Sequence, residues 1–138
     1  MIQKVPKNSV SFQHSFYVKS RDIDNLNHVN NVVYLQWVNE ISGKHWNILS
    51  TVEVNKKYFW VVLRHEIDYL QSAILNDKIT IYTWVGESSG VRSIRYVHIY
   101  KDDILLAKAQ TTWCLIDVKT QRPTRINNDI KDLLAFKE

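Results

Sequence analysis

Between residues 31 and 49 the apolar positions fall at three- and four-residue spacing. Tyr34, Trp37, Val38, Ile41, His45 and Ile48 make one stripe, which predicts an amphipathic helix. Val33 and Leu35 widen the stripe near its start, so the helix should be wrapped by other elements rather than laid on a surface. Asn30 is the predicted N-cap, because its short side chain can accept from an orphan N–H of the first turn. Gly43 sits inside the helix at a cost of roughly 1 kcal/mol against alanine, and marks either a close approach or a bend.

Elsewhere the period is two. Residues 11–20 read as a first strand, with Phe12, Phe16 and Val18 on one parity and His14 interrupting it. After a polar break at 53–57, Leu63, His65, Ile67 and Tyr69 face one way, and Arg64, Glu66 and Asp68 the other. Residues 78–85 are rich in β-branched and aromatic side chains. Residues 93–100 put Tyr96, His98 and Tyr100 on one face and Val97 and Ile99 on the other. The longest strand is expected over 105–118, ended by Pro123, with a short helix over 128–136 turning Ile130, Leu133 and Leu134 inward. Residues 1–10 read as a partly loose lead-in. Short turns between the last four strands imply antiparallel pairing. The expected fold is α+β, a curved antiparallel sheet wrapped around one long helix. Its free edges suggest a dimer joined edge to edge.

Composition narrows the class without naming it. The 138 residues fit one domain, and 45% apolar with 12% aromatic content is globular. No run approaches a bilayer span, and the first residues lack a signal-peptide apolar region. The single cysteine, Cys114, excludes an intrachain disulfide and fits a reducing cytoplasm; inside a strand it reads as an inert small hydrophobe. The net charge of +4 is scattered, unlike a nucleic-acid footprint, and could suit a phosphate-bearing small molecule.

The candidate chemistry sits in the turn that feeds the helix. Asp22, Asp24, Asn25, Asn27, His28, Asn30 and Asn31 crowd the stretch before an expected helix N-terminus, where unpaired N–H groups and partial positive charge can polarise a carbonyl. Asp24 is the candidate base or nucleophile; its bland alternative is an Asx-turn residue. His28 could orient water, bond a carbonyl or simply tie the turn. Asn31 matters through its backbone. Asn27 and Asn30 are candidate substrate contacts that also suit turn and cap building, and Tyr34 and Arg64 join them. Asp22, Asp24 and His28 could in principle ligate a metal, but no further tight ligand set accompanies them, so none is expected. His14, His45 and His98 read as structural. Tyr34, Trp37, Trp84 and Trp113 suit either core or an acyl tunnel. Arg64, Arg92, Arg95 and Lys108 are candidates for gripping phosphates.

The turn Asp22-Ile23-Asp24, followed by His28-Val29-Asn30-Asn31 and Tyr34, resembles the motif of the hotdog-fold thioesterases. The likeness is to the branch that includes 4-hydroxybenzoyl-CoA thioesterase and the plant acyl-carrier-protein thioesterases. Trp37, the stretch 64–70 and the closing stretch 120–126 are similar in the same order, so the likeness spans nearly the whole chain. It implies hydrolysis of an acyl-CoA or acyl-carrier-protein thioester without a cofactor, by a homodimer or homotetramer. It places the family's carboxylate on Asp24, the plant histidine on His28 and the carbonyl-polarising N–H near Asn31. Two positions depart from the plant pattern. Leu26 stands where that pattern has asparagine, and Gln71 where it has glutamate. One carboxylate and a helix end are what carries over. The alternatives are an acyl-thioester-binding protein without turnover and a hydratase or dehydratase on the same fold.

Overall fold

A computed structural model describes residues 3–137. The order is β1 (Ser11–Tyr17), a single 3-10 turn (Ser20–Asp22), α1 (Asn31–Leu49), α2 (Val52–Lys57), β2 (Tyr58–Tyr69), β3 (Lys78–Ser89), β4 (Arg92–Lys101), β5 (Ile104–Asp117) and α3 (Asn128–Leu134). All five strands pair antiparallel in one sheet, in the order β1-β3-β4-β5-β2. Strands β1 and β2 are neighbours in sequence yet lie at opposite edges, because α1 carries the chain across the sheet between them.

The period-two alternation decides which face the helix covers. Ile79 and Ile81 of β3, Val97 and Ile99 of β4, and Ala107 and Ala109 of β5 form one buried cluster with Tyr34, Trp37, Val38 and Ile41 of α1. Trp37 takes the edges of Phe16 and Tyr34, at centroid distances of 5.0 and 5.2 Å. Aromatic pairs of this kind add about 0.5–1.5 kcal/mol to the area they bury. A smaller cluster of Leu115, Ile126 and Ile130 closes the other end, with Trp46, Tyr58, Trp60 and Leu134 packed against it.

Several expectations are corrected. Strand β2 does not pair with β3, the strand that follows it in the chain, but with β5, so only β3, β4 and β5 succeed one another as antiparallel neighbours. The stretch 53–57 is not a break but most of α2, capped by Thr51, whose side chain accepts from the Val54 N–H at 3.2 Å. Six residues are too few to display a stripe. Strand β2 consequently starts at Tyr58, five residues before the expected position. Leu63 is the extra residue of a bulge between Val62 and Arg64 and is exposed, as is Tyr69, whereas His65 and Ile67 are half-buried. Ile48 leaves the helix stripe and is 64% exposed, because the stripe drifts off the sheet at the end of α1. The described part of the lead-in is anchored. Lys4 pairs with Asp103 at 2.8 Å and lies over the Tyr100 ring.

Two glycines carry specific work. At Gly86, in the β3 bulge, an added Cβ would fall 2.6 Å from the Tyr96 ring, so only glycine lets that ring cross. Gly90 turns β3 into β4 with φ of +62°.

Candidate active site

The turn before α1 is a small closed hairpin. Ile23 bridges Val29 antiparallel, and the Asp24 N–H donates to the His28 carbonyl at 2.9 Å. Asn27 occupies the left-handed region (φ +63°), which asparagine tolerates better than most residues. Asp24 Oδ1 accepts the Leu26 N–H at 2.9 Å and, weakly, the His28 N–H at 3.4 Å. This is an Asx turn, and it orients the carboxylate. Only one oxygen is engaged; Oδ2 has no hydrogen bond to the described residues. The structural and the chemical readings of Asp24 are therefore compatible.

The helix start is built as the sequence suggests. Asn30 Oδ1 accepts the Val32 N–H at 3.1 Å, its carbonyl accepts the Val33 N–H at 2.9 Å, and its own N–H donates to the Asp22 carbonyl at 3.0 Å. These bonds leave the Asn31 N–H without a partner among the described residues. The Asn31 carbonyl accepts from the Tyr69 hydroxyl at 3.2 Å, which ties β2 to the turn. Asp24, Asn27, His28, Asn30 and Asn31 are thus brought together, with His28 exposed and its imidazole unengaged among those residues. A carboxylate oxygen, a helix N-terminus and a free ring in one turn can attack, or activate water against, a carbonyl and stabilise the oxyanion that results.

Two of the expected contacts lie elsewhere. Tyr34 is only 2% exposed, and its hydroxyl accepts the Ala73 N–H at 2.9 Å. Burial pushes its phenol up from the ordinary value. It is a strut between helix and loop, not a side chain presented to a ligand, because the helix stripe turns it inward. Arg64 is exposed and paired with Glu66 at 2.9 Å. It stands five residues along β2 from Tyr69, roughly 17 Å of strand, so it does not adjoin the turn of its own chain.

Among the phosphate candidates, Arg92 and Lys108 are exposed, but Arg95 is 7% exposed. Its Nη1 donates to His45 Nδ1 at 2.7 Å and to Thr83 Oγ1 at 3.0 Å. It cannot grip a phosphate at the surface. The parity that buries Val97 and Ile99 buries Arg95 too, and that was the overlooked signal. His45, expected to be structural, is held down to about 4 by burial and secondarily by the Arg95 charge. Cys114 is a buried free thiol. Of the aromatics, Trp37 is core, while Trp84 is buried on the outer face of the sheet, stacked on Tyr96 at 5.6 Å. Trp113 lines a cavity near the end of α1. Gln71 is exposed just beyond β2, with its N–H donating to the Leu106 carbonyl at 3.1 Å. Among the described residues no three His, Cys, Asp or Glu side chains gather where they could hold a metal ion, and no helix is long and apolar enough to cross a membrane.

The chain is similar to known proteins in sequence and in fold. The long-chain acyl-CoA thioesterase FadM of Escherichia coli is 26% identical over 132 residues, covering 88% of this chain and 96% of that protein. A chloroplastic acyl-[acyl-carrier-protein] hydrolase of Cuphea viscosissima, FATB3, is 23% identical over 142 residues, and the match spans 34% of its length. Among solved structures, the probable thioesterase YbaW of Escherichia coli superposes with a TM-score of 0.80 at 25% identity, covering 91% of this chain and 98% of that one. The 12:0-ACP thioesterase of Umbellularia californica, 17% identical, shares the fold with a TM-score of 0.82 over 95% of this chain and 52% of its own. The five-stranded curved sheet around one long helix is therefore the hotdog fold. The profile of the thioesterase-like superfamily matches residues 18–134, and the chain belongs to that superfamily.

Proposed function

We propose that this chain, a thioester hydrolase by family, cleaves an acyl-CoA or acyl-carrier-protein thioester at the turn before α1, with Asp24 as the reacting carboxylate. The observation that carries the reading is Asp24 Oδ2, held by the Asx turn beside the helix end; among the described residues neither that oxygen nor the Asn31 N–H has a hydrogen-bond partner. The thioester carbonyl accepts from the Asn31 N–H. Asp24 either adds to the carbonyl carbon or takes a proton from the water that does. The C–S bond breaks and the thiolate, a good leaving group, departs; in the first case water then hydrolyses the acyl–Asp24 anhydride and frees the carboxylate, and in the second the proton held by Asp24 passes to the thiolate. An oriented oxyanion donor of this kind is worth about 3 kcal/mol. His28, exposed at the same turn, steers the water or the carbonyl, and Asn27 and Asn30 contact the substrate.

A groove of about 390 Å3 beside the turn supports an anionic carrier, since Lys19, Arg21 and Lys44 line it along with Asp22 and Glu40. The working unit is a homodimer or homotetramer acting in the cytoplasm. Strand β2 ends the sheet with its outer edge open, and Leu63, Tyr69 and Leu70 are exposed along it. A second copy paired there would cover those side chains and bring its own Arg64 to the interface. Light scattering on the purified chain tests this, and a strictly monomeric, fully active protein would reject it.

The activity test is free-thiol release from short, medium, long and aromatic acyl-CoAs and from acylated carrier protein, with Asp24→Asn alongside. The expected loss in the variant is about 10³-fold in kcat/KM, with melting temperature essentially unchanged. Full activity in Asp24→Asn would remove Asp24 from the chemistry.

A further inference from the structure

Under the C-terminal half of α1, helix and sheet do not close on one another. A cavity of about 340 Å3 remains, walled largely by Trp46, Tyr58, Trp60, Ile94 and Leu134. Gly43 opens onto it, and a Cβ added there would meet nothing within 4 Å. Trp113 lines it too, and the indole Nε1–H is buried with no hydrogen-bond partner among the described residues. A buried donor left unpaired is costly unless something completes it.

Arg95 lines the same cavity. Its Nη1 is satisfied by His45 and Thr83, both neutral acceptors, while Nη2 and Nε have no bond to the described residues. Because His45 accepts on Nδ1, its proton sits on Nε2, and burial keeps the ring neutral near pH 7. The ion pairs among the described residues are Lys4–Asp103, Arg64–Glu66 and Lys101–Asp77, so no carboxylate balances Arg95. A buried cation without a counter-ion is unfavourable. Its remaining donors form a planar fork that suits a carboxylate.

We propose that this cavity binds a carboxylate carried on a compact apolar body. Its oxygens accept from Arg95 and from Trp113 Nε1–H, and its hydrocarbon lies against Trp46, Trp60 and Leu134. The site is separate from the Asp24 turn. Gly43 stands twelve residues along α1 from Asn31, roughly 18 Å away. A single guanidinium in apolar walls matches the one negative charge of a carboxylate and would leave a phosphate dianion under-neutralised. The carboxylate could belong to a free acid or to the far end of an acyl group that is itself tethered as a thioester. Only the tethered case rests on the hydrolase reading above.

The free-acid arm titrates decanoate into the whole chain, followed by tryptophan fluorescence and calorimetry, with decanol as the uncharged control. Decanoate should bind at least about tenfold more tightly than decanol, the size expected for a hydrogen-bonded charge. Arg95→Met should remove that preference, Trp113→Phe should weaken decanoate severalfold, and Gly43→Leu should exclude both ligands by filling the cavity. If Arg95→Met fails to fold, Trp113→Phe and the decanoate-to-decanol ratio decide. The tethered arm uses a chain long enough to span the roughly 18 Å between the two sites, comparing hydrolysis of the hexadecanedioic acid mono-CoA thioester with palmitoyl-CoA; a kcat/KM preference for the former that Arg95→Met abolishes assigns the tethered source. Equal affinity for decanoate and decanol with no such preference, or decanoate binding indifferent to both Trp113→Phe and Arg95→Met, overturns the proposal.

Discussion

The two halves of α1 are one continuous helix with opposite relations to the sheet. The first half is filled. Tyr34, Trp37, Val38 and Ile41 are all at or below 6% exposure and interlock with β1, β3, β4 and β5. The second half is open. It presents Ser42, Gly43, His45 and Trp46 to a cavity or to a buried guanidinium. The filled half fixes the direction of the N-terminus and holds the Asp24 turn against it. Rigid packing is what a preorganised site needs, because its donors must not reorganise during reaction. The open half gives up packing energy and retains room. One helix thus serves as a rigid mount at one end and as the wall of a chamber at the other.

That contrast can be broken by truncating equivalent side chains. Trp37→Ala should cost about 4 kcal/mol, in the range for deleting a buried tryptophan. Trp46→Ala should cost about half as much, because Trp46 is half-buried and already borders empty space. Urea denaturation of the two variants measures both. Equal losses would mean the two halves are packed alike.

Acid sharpens the same contrast. His45 is lowered from 6.5 to about 4 by burial and by Arg95. The unfolded chain therefore takes up a proton through pH 6.5, and the folded chain only near 4. Between those values the unfolded state holds more protons, so stability falls as pH falls. The loss over that window is roughly 3 kcal/mol at about 1.4 kcal/mol per pH unit. His65 and His98, both lowered first by burial, act in the same direction. His45→Gln should flatten most of the slope in unfolding curves recorded from pH 7 to 4. An unchanged slope would assign it to the other two histidines.

The smallest effect is a gain. Gly43→Ala should stabilise by about 1 kcal/mol through helix propensity, since the added methyl meets nothing within 4 Å. A rise of a few degrees in melting temperature would show that the open half tolerates filling. A fall would mean that Gly43 serves a conformation other than this helix.

Much of the filled half was legible in the sequence because its determinants are local. The cap at Asn30 and the turn bonds of Asp24 join residues within four positions of one another. The stripe from Tyr34 to His45 and the alternation in β4 are local periodicities, and both buried the residues they pointed inward. Where locality was interrupted the reading slipped. The bulge at Leu63 exposed a residue that strict alternation had kept in line with Ile67, and α2 was too short to show a period.

The sequence alone determined the long helix, the strand segments, the hairpins that join β3, β4 and β5, and the turn with its carboxylate, because hydrogen bonds and side-chain periods within a few residues specify them. Only the tertiary structure decided that β2 is an edge, that Arg95 meets His45 fifty positions away, that Tyr34 reaches Ala73, and that a chamber remains under Gly43. Those outcomes depend on how two layers fit. A cavity is what both layers leave unfilled, a quantity no single segment carries.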